Sequence, residues 1–135
     1  ADFTEGQPSF ASIDVSFISL RLILPNLATI LQPGGDVVAL IKPQFEAGPE
    51  NVGKGGIVRD PKVHEMVLQT ILDFAVAHHY DVLNLDFSPI KGGEGNIEFI
   101  THLRLNLDAD GQMAANVSIA ATLKAAYQSL NAAKE

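Results

Sequence analysis

The 135-residue chain contains no cysteine, which excludes disulfides, thiolate metal sites and cysteine nucleophiles together. It also lacks any long hydrophobic run. The longest uninterrupted one is VVALI, Val37 to Ile41, far short of the roughly 18 residues of a membrane span. The amino-terminal ADFTEGQPSF has no basic start followed by an apolar segment, so no secretory signal is expected and the cytoplasm is the expected location. Basic residues are scarce, with 9 Lys and Arg against 16 Asp and Glu and a net charge of −7. Polyanion binding rests mainly on Lys and Arg, so any nucleic-acid role needs basic surface from elsewhere. What remains, 47% hydrophobic and 19% charged, is the composition of one ordinary globular domain or part of one.

The pattern along the chain is that of an α/β protein. Ile13, Val15 and Phe17 alternate with Asp14 and Ser16, which predicts a strand over Ser12 to Ile18. A helix is expected over Leu20 to Leu31, kinked or restarted at Pro25 and stopped by PGG at 33–35. DVVALIKP follows as a strand whose continuous apolar run suits cover on both faces. Gln44 to Arg59 reads as a long glycine-rich irregular connection. Asp60-Pro61 signals a helix start, with Val63, Val67, Ile71, Phe74 and Ala75 on the inward face and an end near His78 and His79. YDVLNLDFS and NIEFITHLRL are third and fourth strands, Asp108 to Gly111 a turn, and Ala114 to Ala133 a terminal amphipathic helix. The alternation implies parallel crossovers, whereas the eight-residue link between the last two strands is too short for one and makes them antiparallel. The expected architecture is half of a doubly wound sheet, mostly parallel, with a reversed strand at its end.

Asp14 is the anomaly in this pattern, because a carboxylate within a strand needs a partner or a task. In such a sheet Asp14 and Lys42 lie toward the carboxyl ends of parallel strands, where open α/β sheets place ligands. Glu98 begins the reversed strand and so falls at the same rim. Asp14, Lys42 and Glu98 are thus expected to converge, with Lys42 able to pair with both carboxylates, as a structural ion pair or as a site. IKGGEGN, just ahead of Glu98, has glycines that permit close backbone approach to a ligand.

Other motifs are weaker. GPENVGKG, Gly48 to Gly55, nearly spells a phosphate-binding P-loop, but Gly55 stands where Ser or Thr must hold magnesium and Lys54 does not open a helix. It reads as a glycine loop. His78 and His79 suit a helix end, and His102, four residues after Glu98 on one strand face, is conceivable as a metal pair that lacks further ligands. No metal site is expected. G-x-S-x-G is absent, so hydrolase chemistry lacks support.

The segments SIDVSFISL, ALIKPQFEAGPENVGKGGIVRDPKVH and FSPIKGGEGNIEFITHL closely resemble the hemolysin-A-like (TlyA-type) proteins, which are similar to FtsJ-like RNA ribose methyltransferases. The resemblance spans Ala1 to Leu103. It implies a Rossmann-like, S-adenosylmethionine-dependent methyltransferase fold acting on a ribose 2′-hydroxyl of ribosomal RNA. The related enzymes use a lysine, aspartate, lysine, glutamate tetrad, and Asp14, Lys42 and Glu98 fall where its last three members lie. A ribose hydroxyl is a poor nucleophile and needs a base; desolvation would make Lys42 one, and flanking carboxylates oppose it.

The first lysine of the tetrad, the glycine-rich cofactor loop and a small basic RNA-binding domain should all precede Asp14 and are not in this sequence. Residues 1–135 are therefore expected to be a partial FtsJ-like domain, the carboxyl-terminal half, beginning just before the fourth strand of a seven-stranded sheet. Its cofactor-binding residues are unassigned, and the chain by itself is expected either to self-associate through the exposed first strand, Ser12 to Ile18, or to be poorly stable. Two other functions fit less well. A membrane-active hemolysin lacks a spanning segment and a basic amphipathic helix, and a non-catalytic interaction module would keep the fold without the cofactor loop.

Overall fold

The computed structural model describes residues 6–89 and 95–132. Four strands form one sheet: β1 (Phe10–Ile13), β2 (Asp36–Ile41), β3 (Tyr80–Phe87) and β4 (Phe99–Leu105). The helices are α1 (Leu20–Leu27), a single turn α2 (Pro43–Glu46), α3 (Pro61–Ala77) and α4 (Ile119–Ala132), with 3-10 turns at Pro49–Asn51 and Lys54–Gly56.

The sheet order is β1-β2-β4-β3. β1 and β2 pair in parallel, while β4 pairs antiparallel with both β2 and β3. Three strands therefore point one way and one the other, as expected from the short link before β4. The reversed strand is not at the end of the sheet, however. It fills the place between β2 and β3 that the α3 crossover leaves open, so a hairpin from β3 completes the ladders of both neighbours.

Local chemistry accounts for the elements. Ser19 caps α1 by accepting from the Arg21 amide, and the helix runs on through Pro25 to Leu27, shorter than expected. Asp60 caps α3 through the Lys62 amide, with Pro61 at the first helical position. His78 closes that helix and stacks on Phe74 with ring centroids 3.9 Å apart.

The core lies between the helices and one sheet face. Ala11, Ile13, Val37, Ala39, Ile41, Phe99, Leu103 and Leu105 face it, with Leu20, Leu24, Leu68, Ile71, Leu72, Leu123 and Ala126 packed opposite. Burial on α3 is wider than the expected stripe, since His64, Leu68 and Leu72 are also buried, because α3 is covered by both α1 and α4. Tyr80, fully buried, donates its hydroxyl to the Leu24 carbonyl at 2.6 Å, and burial pushes that phenol up to about 12.

The two-sided cover expected for β2 is not found among the described residues. Burial alternates strictly along it, leaving Val38 and Leu40 half-exposed on the face that also carries Phe10, Ile100, His102 and Arg104. On that face Asp36 accepts from Arg104 Nε at 2.9 Å and contacts His102 Nε2 at 3.1 Å. The Arg104 and His102 hydrogen bonds hold the Asp36 carboxyl below the usual carboxylate range.

Candidate active site at the sheet rim

Register decides what meets at the carboxyl rim. Ile41 pairs with Phe99 across β2 and β4, and Phe87 pairs with the same Phe99 across β3 and β4. The next residues outward are Lys42 and Glu98, adjacent across the ladder. β1 ends at Ile13, opposite Ala39, and Asp14 is the first residue beyond it. Asp14 is thus not within a strand, as the alternation suggested. Its side chain is 62% exposed, so the cost of burying a lone carboxylate does not arise.

Lys42 is the best-enclosed cation of the site, with 13% of its side chain exposed, and its Nζ pairs with Asp14 Oδ1 at 2.6 Å. It also donates to Ser16 Oγ at 3.2 Å. A pair with one exposed member contributes about 1 kcal/mol or less to stability, so its effect is to aim the ammonium. The expected second pairing is not made: Glu98 accepts instead from Gln44 Nε2 at 3.0 Å, and no ion pair joins it to Lys42. The cause is position. Glu98 is buried at the foot of β4, and the α2 turn that follows Lys42 brings Gln44 over it.

Lys42, Gln44, Glu98, Ser16, Phe17 and Phe45 line a cleft of about 380 Å³. Gln44 Oε1 is buried without a hydrogen-bond partner among the described residues. Phe17 stands 88% exposed at φ 68°, a left-handed conformation that a bulky residue adopts at a cost of roughly 1–3 kcal/mol and that clusters at functional sites. Its ring packs on Phe45 with centroids 4.7 Å apart.

Glu46 ties the two walls of the cleft together. Its carboxylate accepts from Ser19 Oγ at 2.6 Å and from the Leu20 amide at 2.9 Å, joining the start of α1 to the end of α2. Burial raises its pKa, with the Ser19 and Leu20 hydrogen bonds acting in the opposite direction. Behind the cleft, buried Asn96 accepts from the Val58 amide and donates to the Gly56 carbonyl, both at 2.9 Å. His64 continues this chain: its Nε2 lies 3.0 Å from the Val58 carbonyl and its Nδ1 2.6 Å from the Tyr127 hydroxyl. A carbonyl only accepts, so Nε2 carries the proton and the Tyr127 hydroxyl donates to Nδ1.

Gln44, Glu46, Asn96, Phe17 and His64 were not singled out by sequence reasoning. The signal within reach was the spacing Lys42-x-Gln44 and Asn96-x-Glu98, which alternates polar residues at the ends of the two strands that pair. Of the glycines ahead of Glu98, Gly92 and Gly93 lie outside the described residues, and Gly95 is at φ 85°. His102 bonds to Asp36 and not to Glu98. Among the described residues no cluster of three metal-ligating side chains occurs, and no helix is long and apolar enough to cross a membrane.

The family model for FtsJ-like methyltransferases matches residues 2–105. The chain belongs to that family. YqxC of Bacillus subtilis is 66% identical over 103 residues, which are 76% of this chain and 37% of that protein. Hemolysin A of Brachyspira hyodysenteriae is 41% identical over 74% of this chain and 42% of its own length. The 16S/23S rRNA (cytidine-2′-O)-methyltransferase TlyA of Mycobacterium tuberculosis is 35% identical over 76% of this chain and 38% of its own. A solved hemolysin-like structure from Streptococcus thermophilus superposes with a TM-score of 0.90 at 55% identity, covering 98% of this chain and 47% of that one. The chain thus spans about two fifths of the length of the curated relatives it matches. Its sheet is a part of the FtsJ-like methyltransferase fold.

His64 makes this arrangement pH-dependent. Burial lowers its pKa from the ordinary 6.5, the Val58 carbonyl and Asp60 acting weakly in the other direction. The unfolded chain therefore binds the proton at a higher pH than the folded one, and stability falls as pH drops below about 6.5. In urea unfolding from pH 8 to pH 5, the protein is expected to lose stability that a His64→Gln variant, weaker at pH 8, does not lose further. Parallel pH profiles for the two proteins would contradict this.

Proposed function

We propose that this chain forms the acceptor side of the active site of an RNA 2′-O-methyltransferase that modifies ribosomal RNA. The observation that carries the reading is the Lys42 ammonium, enclosed and aimed by Asp14 at 2.6 Å, in a cleft it shares with Glu98, within a chain of the FtsJ-like family. The names of the TlyA relatives support ribosomal RNA as substrate and the cytidine ribose as acceptor.

The chemistry follows from the side chains. Lys42 Nζ is placed to take the proton of the 2′-hydroxyl as the oxygen takes the methyl group. Asp14 then faces the ammonium that forms, placing negative charge where positive charge develops. Ser16 fixes the direction of Nζ. Glu98 lines the cleft beside Lys42, and Gln44 holds its carboxylate in place through its amide. Phe17, exposed and backed by Phe45, offers a flat face on which the base of the target nucleotide stacks.

S-adenosylmethionine supplies the methyl group when bound. The cleft of about 380 Å³ leaves room for that methyl group beside Lys42, and the residues that would hold the nucleoside belong to the remainder of the full-length protein. That remainder also provides basic RNA-binding surface and covers the half-exposed face of β2 and β4, and a ribosomal RNA substrate puts the protein in the cytoplasm.

β1 is bonded on one side only in the described sheet. Such an edge templates pairing with another chain, so in the 135-residue chain by itself two copies join along Phe10–Ile13. Sedimentation is expected to show a mass that rises with concentration, abolished by Ala11→Pro; a monomer at all concentrations would contradict this.

Replacing Lys42 by Ala in the full-length protein is expected to slow single-turnover methylation of ribosomal RNA by about 10²- to 10⁴-fold, the range for a lost general base, with cofactor affinity unchanged. A variant that keeps the full rate would remove Lys42 from the chemistry.

A further inference from the structure

The near-match to a phosphate loop has no part in the reaction above, yet Lys54 and Arg59 are two of only nine basic side chains in a chain of net charge −7. Both are exposed. Between them Gly55 and Gly56 have φ of 80° and 76°, and no atom lies within 4 Å of where a Cβ would project from either. The outer side of this turn is open backbone flanked by two cations. One of the five Arg59 donors is used, Nη1 bonding the Lys54 carbonyl at 3.2 Å.

The inner side is fixed. Gly53 donates to Ile57 at 2.9 Å and Gly56 to Gly53 at 3.1 Å. Asn96 clasps Val58 and Gly56 from beneath, at 2.9 Å each. Gly56 and Asn96 line the same cleft as Lys42 and Glu98, so the turn sits at the mouth of the proposed site. The nearest carboxylate along the chain, Asp60, is turned to the Lys62 amide as a helix cap, not toward the two cations.

We infer that the Gly53–Arg59 turn grips a backbone phosphate of the RNA beside the ribose being methylated, with Lys54 and Arg59 as its cationic contacts. Phosphate contacts fix register without reading sequence, which is what a reacting 2′-hydroxyl requires when it must be held against one Nζ. The inference rests on the methyltransferase reading and deepens it by assigning the RNA contact.

The test is filter binding of a ribosomal RNA fragment to the full-length protein over a range of salt, alongside single-turnover methylation. Lys54→Ala/Arg59→Ala is expected to reduce the slope of log affinity against log salt by about two, one per cation removed, and to weaken binding at low salt at least about tenfold. Arg59→Lys keeps the slope. Lys54→Ala alone, at an exposed position whose side chain makes no structural bond, reduces the slope by about one and guards against a folding defect in the double variant. An unchanged slope in protein that methylates RNA would overturn the phosphate contact alone. Wild-type protein that binds RNA but transfers no methyl group to it would overturn the methyltransferase reading instead. Binding to phosphatidylglycerol vesicles that needs Lys54 and Arg59, with RNA binding indifferent to them, would assign the turn to a lipid surface and overturn the inference.

Discussion

The site depends on one ladder register, Ile41 opposite Phe99. Because β4 runs against β2, the residue that ends one strand and the residue that starts the other become neighbours, and these are Lys42 and Glu98. A slip of one residue would turn every side chain of β4 to the opposite face. That would bury His102 and Arg104 and expel Phe99, Thr101, Leu103 and Leu105, which are almost wholly buried. The hydrophobic core therefore holds Lys42 and Glu98 in register. The parallel pairing of β1 with β2 adds Asp14 and Ser16 at the same rim, from a turn that only has to reach Nζ.

Around this rim the polar groups fall into two kinds. Asp14, Lys42 and Phe17 are reachable from solvent. Glu46, Asn96 and His64 are largely buried and hydrogen-bonded, joining the start of α1 to the end of α2, the turn at Gly56 to the foot of β4, and α3 to α4. Removing one partner from such a pair leaves a buried donor or acceptor unmatched, at a cost of about 1–3 kcal/mol. The cleft is thus shaped by buried hydrogen bonds.

Much of this was legible in the sequence. Alternation and capping signals located β2, β3, β4 and the three longer helices, and topology alone brought Asp14, Lys42 and Glu98 to one rim, while the first strand runs Phe10–Ile13 and not Ser12 to Ile18. The misreadings have specific causes. The alternation of Ile13, Val15 and Phe17 continues past the point where β1 loses its partner, so strand and extended turn look alike, and Asp14 appeared internal. The run VVALI suggested cover on both faces, but Val38 and Leu40 find none among the described residues, in keeping with a chain that spans two fifths of its curated relatives. The place of β4 between β2 and β3 is a long-range choice that no local pattern encodes. The Gln44 amide over Glu98 was invisible for another reason: it depends on the single helical turn begun by Pro43, too short to carry a periodic signal.

The account stands on the claim that the acceptor is a ribose oxygen. Nucleoside mass spectrometry of ribosomal RNA methylated by the full-length protein tests this most directly. The geometry around Lys42 predicts that the label appears in a 2′-O-methylated nucleoside, with the base unmodified. A base-methylated nucleoside as the product would contradict it, because Lys42, Asp14 and Glu98 would then be arranged for a proton that the reaction does not need to move.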